Sequence, residues 1–409
     1  CTQIVWSCRR RSWNILASIM EKDNTYNTSG MIQLPDGASI STARTPALIP
    51  IALAPGVTVH YTTRLGGHSR GDWAFCNLGS KVGDDPSHVY ANRFAVAGVV
   101  GSRVHTVSQI HSARAVSTDD ELEQIRSAIG AQASDGSVPG PKGEAGEESF
   151  AEACADRLYG IEADAQYTLQ QDRAIGVFTA DCLPVLLADP HAGIIGAAHC
   201  GRKGLQRGVL QNLIHAMESR GARSSHMAAT LGPCICGSCY EVGSDIADEF
   251  DRQFPGTATV TRFGGKGIDI ALAALQILAH EGISGSRIAD SEPRVRAATY
   301  YLEPDPEFQA LCQADAEGGP LSKRLDKMEH PLCTLENPLW YSHRRAVKSG
   351  KADSGRALSI ITRTDPARLE KEQAALRAQL AAEGIAEAGA ESIIEEGTAA
   401  APDQQGSKG

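Results

Sequence analysis

The sequence predicts a mixed α/β protein, and two observations carry that reading. Between Val177 and Gly204 the chain holds apolar runs of strand length, bounded by Pro and Gly, which read as buried strands. Immediately after them Leu205, Val209, Leu213, Ile214 and Met217 recur at helical spacing, one apolar stripe of an amphipathic helix. A hydrophobic content of 42% over 409 residues is enough for a core. That length allows two or three domains, or one large domain carrying insertions.

Residues 1–45 show no sustained period and read as a poorly ordered extension. The chain opens on Cys1 rather than Met, which reads as a fragment or a translation without its true start. The segment Cys8–Arg11 precedes an apolar patch, Trp13–Met20, too short and interrupted for a signal peptide. Ile51 to Thr63 reads as strand and leads into Arg64-Leu-Gly-Gly-His-Ser-Arg-Gly. The glycines there permit close backbone approach and the arginines suit phosphate or carboxylate. Pro86 and Ser87 open a helix. Val104 to Val116 reads as a strand pair containing Gln109, Ile110 and His111.

Residues 117–160 are rich in Asp, Glu, Gly, Ser and Pro and read as an exposed, largely disordered insertion. Order returns near Ile161. The central pair, VFTADC-LPVLLA and GIIGAAH, is joined by the turn Asp189-Pro-His-Ala-Gly. The striped helix covers Gly204–Arg220 and Gly221 ends it. A strand over Met227–Leu231, a helix over Ser244–Phe250 and an amphipathic helix from Ile268 follow. Residues 289–331, of mixed charge, read as a second insertion; Ala357–Thr362 is the last strand. Residues 364–409 read as an Ala- and Glu-rich tail, a solvated helix or free chain.

A net charge of −10 argues against nonspecific nucleic-acid binding, which needs clustered Lys and Arg. No apolar run approaches the ~18 residues of a membrane span. The 11 cysteines are odd in number and several fall in buried strands, so they read as reduced thiols of a cytoplasmic protein.

Cys182 and His199 are each one metal-binding side chain in an apolar strand, and His111 is a third. A His₂Cys set suits catalytic zinc, with water in the fourth place, and also type-1 copper. No Met lies close to these three in sequence, which favours zinc. Asp181 is the nearest acid or base. Cys182 with His199 also suits a nucleophile and base, as in a hydrolase acting on amides such as cell-wall precursors. The chain has 12 His and no His-x-His pair, which disfavours multicopper chemistry. Arg64, Arg70, Arg202, Lys203, Arg344 and Arg345 lie in or beside loops, a local basic exception on an acidic chain and a candidate anion pocket, with Arg64 the first choice of clamp. Cys234, Cys236 and Cys239 form C-x-C-x-x-C; with no fourth ligand at a suitable spacing, they read as thiols of a Gly-rich turn.

Several stretches together carry a resemblance. They are Thr62-Thr-Arg-Leu-Gly-Gly-His-Ser, Asn77-Leu-Gly, Val82-Gly-Asp-Asp-Pro with Asn92 and Arg93, Gln109-Ile-His, and Thr179-Ala-Asp-Cys-Leu-Pro. They continue through Ala198-His-Cys-Gly-Arg-Lys-Gly, Gly232-Pro-Cys-Ile, Cys239-Tyr-Glu-Val-Gly, Cys333-Thr and Ser342-His-Arg-Arg with Gly355-Arg356. The chain resembles the laccase-domain, YfiH-like family, also called polyphenol oxidase or purine nucleoside phosphorylase. The resemblance implies a layered α-β-β-α sandwich: one domain over 46–363 with insertions at about 117–160 and 289–331, and floppy termini. It implies zinc, with copper possible, on His111, Cys182 and His199. It implies phosphorolysis of adenosine, inosine and methylthioadenosine to base and pentose 1-phosphate, with adenosine deamination; copper-dependent phenol oxidation is an older label. The partners are then a small nucleoside and phosphate, in a monomer or small homo-oligomer. Asp181, Cys182 and Arg64 are the catalytic candidates, and Arg64, Asn77, Gln109, Lys203 and Arg345 the substrate and phosphate set. Two departures stand out. The family's Gly-Trp-Arg-Gly is Gly201-Arg202-Lys203-Gly204 here, which removes a stacking aromatic and replaces a bidentate Arg by a point charge. Its Ser-Tyr-Arg-Arg is Ser342-His343-Arg344-Arg345.

Overall fold

Two sheets lie face to face with helices outside both. The computed structural model describes residues 31–33, 39–41, 44–134 and 153–364. The expected tail from 365 on, most of the 1–45 extension and the middle of the first expected insertion lie outside the described residues. One unit, 1–43 with 364–409, contributes a short antiparallel pair, β1 (Met31–Gln33) and β2 (Ser39–Ser41). The other covers 44–363.

In that second unit the strands are β3 (Leu48–Ala54), β4 (Val57–Thr62), β5 (Val104–His105), β6 (Ala115–Ser117), β7 (Ala165–Thr168), β8 (Ala174–Thr179), β9 (Leu183–Asp189) and β10 (Ile194–Cys200). They continue as β11 (Ala228–Leu231), β12 (Ala258–Val260), β13 (Lys266–Ile268), β14 (Ile288–Ala289) and β15 (Ala357–Arg363). One sheet runs β3-β4-β15-β8-β5 and the other β14-β11-β9-β10-β7-β6, while β12 and β13 pair separately. Among the helices are α1 (Pro86–Val100), α2 (Thr118–Ser134), α3 (Arg202–Arg207), α4 (Val209–Glu218), α5 (Ser244–Gln253), α6 (Ile270–His280), α7 (Glu292–Leu302), α8 (Pro306–Ala314), α9 (Leu321–Leu325) and α10 (His343–Lys348).

Alternate side chains of each central strand serve different layers. Leu186 and Ala188 of β9, with Ile195 and Ala197 of β10, meet Val59, Tyr61, Ile175 and Val177 between the sheets. Val185, Leu187 and Ala198 face the other way, onto Leu210, Leu213, Met217 and Ala274. Phe178, Leu358 and Ile360 cover the far face of the five-stranded sheet against Val96 of α1. With both faces covered, β9 and β10 are buried at every position, which is why their sequences show apolar runs rather than alternation. At Gly196 an added Cβ would sit 2.7 Å from Met217 Sδ, so glycine lets α4 pack close on β10.

Six stretches differ from the expectation. Val104–Val116 is not a strand pair: β5 and β6 belong to different sheets, and Gln109, Ile110 and His111 fall in the loop between them. Ile51–Thr63 is not one strand but spans the turn between β3 and β4, which pair antiparallel. VFTADC-LPVLLA is not one strand: β8 and β9 belong to different sheets, and the chain changes sheet across Ala180–Cys182. The helix expected over Gly204–Arg220 breaks at Gly208 (φ 88) into α3 and α4. Residues 117–160 include α2, and Leu122, Ile129, Cys154 and Leu158 bury an apolar face there. Residues 289–331 include α7, α8 and α9, whose Val295, Phe308, Leu311 and Leu321 join the core between the sheets. Their polar composition belongs to the outer faces of helices that are apolar inside. Among the described residues no helix is long and apolar enough to cross a membrane.

Candidate metal centre and its cleft

The sheet change places the thiol. Asp181 turns the chain at φ 105, a conformation costly for a non-glycine residue. It is held there from three sides. Its carboxylate accepts the Thr334 hydroxyl (2.7 Å) and the Arg344 backbone N–H (2.7 Å), and its carbonyl accepts the Ile235 N–H (2.9 Å). Cys182 follows at the edge of the sandwich. His199 comes one residue before the end of β10, paired with Pro184 of β9. His111 lies in the loop between β5 and β6, in the left-handed region at φ 59.

Asp164, directly before β7, ties these pieces together. Its buried carboxylate accepts the backbone N–H groups of Ile110 (3.2 Å), His111 (3.0 Å) and Ser112 (2.5 Å) and the Ser112 hydroxyl (2.8 Å). It also lies 2.9 Å from Nδ1 of His199. A carboxylate only accepts, so His199 Nδ1 carries the hydrogen and Nε2 is left free for a ligand. Cys182 Sγ is 3.7 Å from His111 Nε2, and the two imidazole rings meet edge to face at 4.9 Å. The ligand atoms of His111, Cys182 and His199 all lie within 4.8 Å of one another. Gly201 leaves this space open: a Cβ there would come within 2.9 Å of Cys182 Sγ and 2.8 Å of His111 Cδ2.

The charges in this cluster are coupled. Burial disfavours the Cys182 thiolate, but His199 and His111 outweigh it and bring the thiol down to about 6. Burial likewise works against a charged His199, yet Cys182 and Asp164 push it up to about 9. Asp164 is held at about 2 against its burial, chiefly by His199 and Ser112. A thiolate, two imidazoles and a carboxylate orienting one of them form a donor set that fits a borderline transition ion such as zinc or copper.

The centre opens on a cleft of about 300 Å³ lined by Ile110, His111, Cys182, Arg202, Lys203, Arg207 and Tyr240. Arg202 is braced by Gln206 (2.8 Å), and Arg207 by the His111 carbonyl (2.6 Å). The Arg344 guanidinium stands over the Tyr240 ring at 5.4 Å.

Most of the predicted substrate set lies elsewhere. Arg64 is 1% exposed and pairs with Asp315 (3.3 Å) and Glu317 (3.2 Å), so it faces internal carboxylates rather than the cleft. Arg345 binds the same Glu317 (2.8 Å) and the carbonyls of Thr334 and Trp340. Asn77 is buried and bonded to Gly79, Asp84 and the Arg356 N–H. Gln109 bonds both backbone groups of Phe178 (2.7 and 2.8 Å). Lys203 alone of the five lines the cleft. Asp181 does not line it, and both its carboxylate oxygens are engaged in fixing the turn. Asp164, Arg207 and Tyr240 were not singled out in the sequence. Tyr240 sits in the quoted Cys239-Tyr-Glu-Val-Gly stretch, which was the available signal.

The fold and this centre define a laccase-like protein. The family model described as multi-copper polyphenol oxidoreductase laccase matches residues 58–303, and the chain belongs to that family. The purine nucleoside phosphorylase ORF3 of Streptomyces griseus is 35% identical over 227 residues, 55% of this chain and 79% of its own length. A purine nucleoside phosphorylase of Mycobacterium tuberculosis is 34% identical over 293 residues, 71% of this chain and 87% of its own. Adenosine deaminase RL5, from an unknown prokaryotic organism, is 28% identical over 244 residues, 58% of this chain and 83% of its own. Among solved structures, a DUF152 protein of Neisseria meningitidis superposes with TM-score 0.53 at 29% identity, covering 79% of this chain and all of the other. YlmD of Geobacillus stearothermophilus gives TM-score 0.53 at 22% identity over 83% and 98%, a likeness of fold. The YfiH-like resemblance and the α/β fold class read from the sequence are borne out.

Proposed function

We propose that the chain is a zinc-dependent purine nucleoside phosphorylase with adenosine deaminase activity. The observation that carries this is the His111–Cys182–His199 cluster opening on a basic cleft that also holds one aromatic ring. The names of the relatives point the same way. A zinc ion on the three side chains would supply a Lewis acid at the head of the cleft. The chain's own groups do the rest. Ile110 and Tyr240 offer apolar and aromatic surface to a purine, and Lys203, Arg202 and Arg207 offer positive charge to phosphate. In phosphorolysis a phosphate oxygen attacks C1′ of the sugar, the bond from C1′ to the base breaks, and the base leaves with the electron pair and takes up a proton. Basic groups beside the developing charge stabilise it without reorganisation. In deamination water enters at C6 of adenosine and ammonia leaves.

The test is product analysis. Zinc-loaded protein with adenosine or inosine and phosphate should yield base and ribose 1-phosphate, and adenosine alone should yield inosine and ammonia. Cys182→Ala should lose both. No turnover by zinc-loaded protein defeats the reading.

A second reading rests on the same thiol, held near 6 between two imidazoles, which suits a cysteine nucleophile of an amide hydrolase. Stoichiometric alkylation of zinc-free protein at Cys182 that abolishes amide hydrolysis would favour it. Amide hydrolysis that survives alkylation of Cys182, or a thiol that bound zinc protects from the reagent, would reject it.

A further inference from the structure

The C-x-C-x-x-C segment lacked a fourth partner in the sequence, and the fold brings two. Cys236, Cys239, Cys333 and Glu336 offer ligand atoms that all lie within 4.8 Å of one another. For tetrahedral zinc with Zn–S bonds of ~2.3 Å, sulfurs would be roughly 3.8 Å apart. Glu336 Oε1 is 3.4 Å from Cys236 Sγ and 3.3 Å from Cys239 Sγ, close to that edge length. The four residues form two pairs, Cys236-x-x-Cys239 and Cys333-x-x-Glu336, and a two-residue spacer is the usual one in structural zinc sites. Each pair sits on a tight turn: Cys239 and Tyr240 N–H groups bond the Cys236 carbonyl (2.9 Å each), and the Asn337 N–H bonds the Cys333 carbonyl (2.9 Å).

The surroundings suit an ion better than three thiols alone. Glu336 is a carboxylate with 2% of its side chain exposed. Its Oε2 accepts the backbone N–H groups of Glu329 (2.7 Å) and His330 (3.0 Å), and its Oε1 accepts Arg262 (2.9 Å). The carboxylate is therefore fixed, with Oε1 aimed at the Cys236 and Cys239 sulfurs. The Cys236 N–H points at Cys333 Sγ (3.5 Å), a bond that stabilises a thiolate. Cys239 and Cys333 are buried. Three thiolates and a carboxylate around a divalent ion leave two negative charges in excess, and Arg262 offsets one. Cys234, the remaining member of the motif, is not a ligand. Its backbone joins the two turns, its N–H to the Leu332 carbonyl and its carbonyl to the Thr334 N–H (3.0 Å each).

We infer that Cys236, Cys239, Cys333 and Glu336 hold a second, structural zinc ion, separate from the His111–Cys182–His199 centre. Soft thiolates in a tetrahedral set select zinc over magnesium or calcium. The ion cross-links the loop after β11 to the loop before α10. Those two loops also clasp Asp181, through Ile235 and Thr334, so the cross-link braces the turn that presents Cys182.

The experiment counts zinc in full-length protein purified reduced and with zinc present. Wild type should hold two ions per chain and Cys182→Ala one, so loss of the first centre, and with it the proposed nucleoside chemistry, leaves the second measurable. Adding Cys236→Ser and Cys333→Ser to Cys182→Ala should remove the remaining ion and lower the melting temperature. Glu336→Gln in the same background should speed zinc loss to a chelator ~10-fold or more. Should the cysteine variants not fold, cobalt loaded into Cys182→Ala should still show thiolate-to-cobalt charge-transfer absorption. Folded Cys182→Ala with no bound zinc and no such band, or a Cys236–Cys239 disulfide in its place, overturns the inference.

Discussion

Asp164→Asn tests whether one buried carboxylate assembles the metal centre. Five donors converge on Asp164: three backbone N–H groups, the Ser112 hydroxyl and His199 Nδ1. A carboxylate offers about four lone-pair positions, whereas an amide oxygen offers about two and its NH₂ faces donors. Two or three donors are then unsatisfied, at about 1–3 kcal/mol each, so the loss is about 2–9 kcal/mol. That is a large share of the ~5–15 kcal/mol typical of a folded protein, and it should lower Tm by roughly 10 °C. The same change releases the hydrogen that fixes His199, and losing such an orienting partner lowers metal affinity ~10–100-fold. The two effects are read separately, by thermal melting of metal-free protein and by zinc competition against a chromophoric chelator. Acid adds a third readout. The Asp164 pKa is lowered in the fold, from 3.8 to about 2, so its stabilisation is complete above the higher value and is lost as pH falls through the lower one. The difference is worth about 2 kcal/mol. Wild type minus Asp164→Asn stability should therefore shrink between about pH 4 and pH 2. A variant that melts early but binds zinc like wild type would refute the orienting role. One that shows neither effect would refute the whole account of Asp164.

Gly201→Ala keeps an allowed backbone (φ −69) but puts a methyl 2.9 Å from Cys182 Sγ. Overpacking costs about 1–3 kcal/mol, so zinc affinity should drop roughly 5–100-fold with little change in the melting of metal-free protein. Arg64→Met leaves Asp315 and Glu317 short of one buried partner; because Arg324, Arg345 and Lys351 still pair with them, denaturant melts should show a loss near the low end, about 3 kcal/mol, with KM for phosphate unchanged. Lys203→Ala should do the opposite, raising KM for phosphate without altering Tm. Tyr240→Leu should raise KM for the nucleoside by the ~1–3 kcal/mol of a base stack, roughly 5–100-fold.

Much of the candidate centre was legible because its members are chemically out of place. A thiol and an imidazole in sequence otherwise built of Val, Leu, Ile and Ala mark Cys182, which falls between two strands, and His199, which falls within one. Asp164 carries no such mark. It stands among Ala and Gln at a strand start, and its role depends on a loop 52–54 residues earlier and a histidine 35 residues later. Arg64 misled for the same reason in reverse. A Gly-rich loop with an arginine looks alike whether it meets a phosphate or, as here, carboxylates 251 and 253 residues away. The helices inside 117–160 and 289–331 were hidden because composition averages over both faces, and only one face of each is buried.

The change of sheet between β8 and β9 explains why the chemistry sits where it does. Both strands are apolar on both sides, so hydropathy runs straight through Thr179–Leu183 and hides the break. Yet a chain leaving one sheet for another must expose a few backbone groups and take a costly conformation, and Asp181 does so at φ 105. The Asp181 carbonyl is satisfied by the Ile235 N–H and its carboxylate by Thr334 and Arg344, from three later segments, which draws the loops bearing Tyr240 and the second cysteine cluster to the same edge. This costly turn therefore lies beside the point where thiol, imidazoles, cations and aromatic meet. Relaxing it should affect metal binding before it affects the sheets: Thr334→Val, which removes one bond to Asp181 and conserves volume, should weaken zinc binding while leaving far-UV circular dichroism unchanged. Unaltered zinc affinity in that variant would show that Cys182 is positioned by the strands alone.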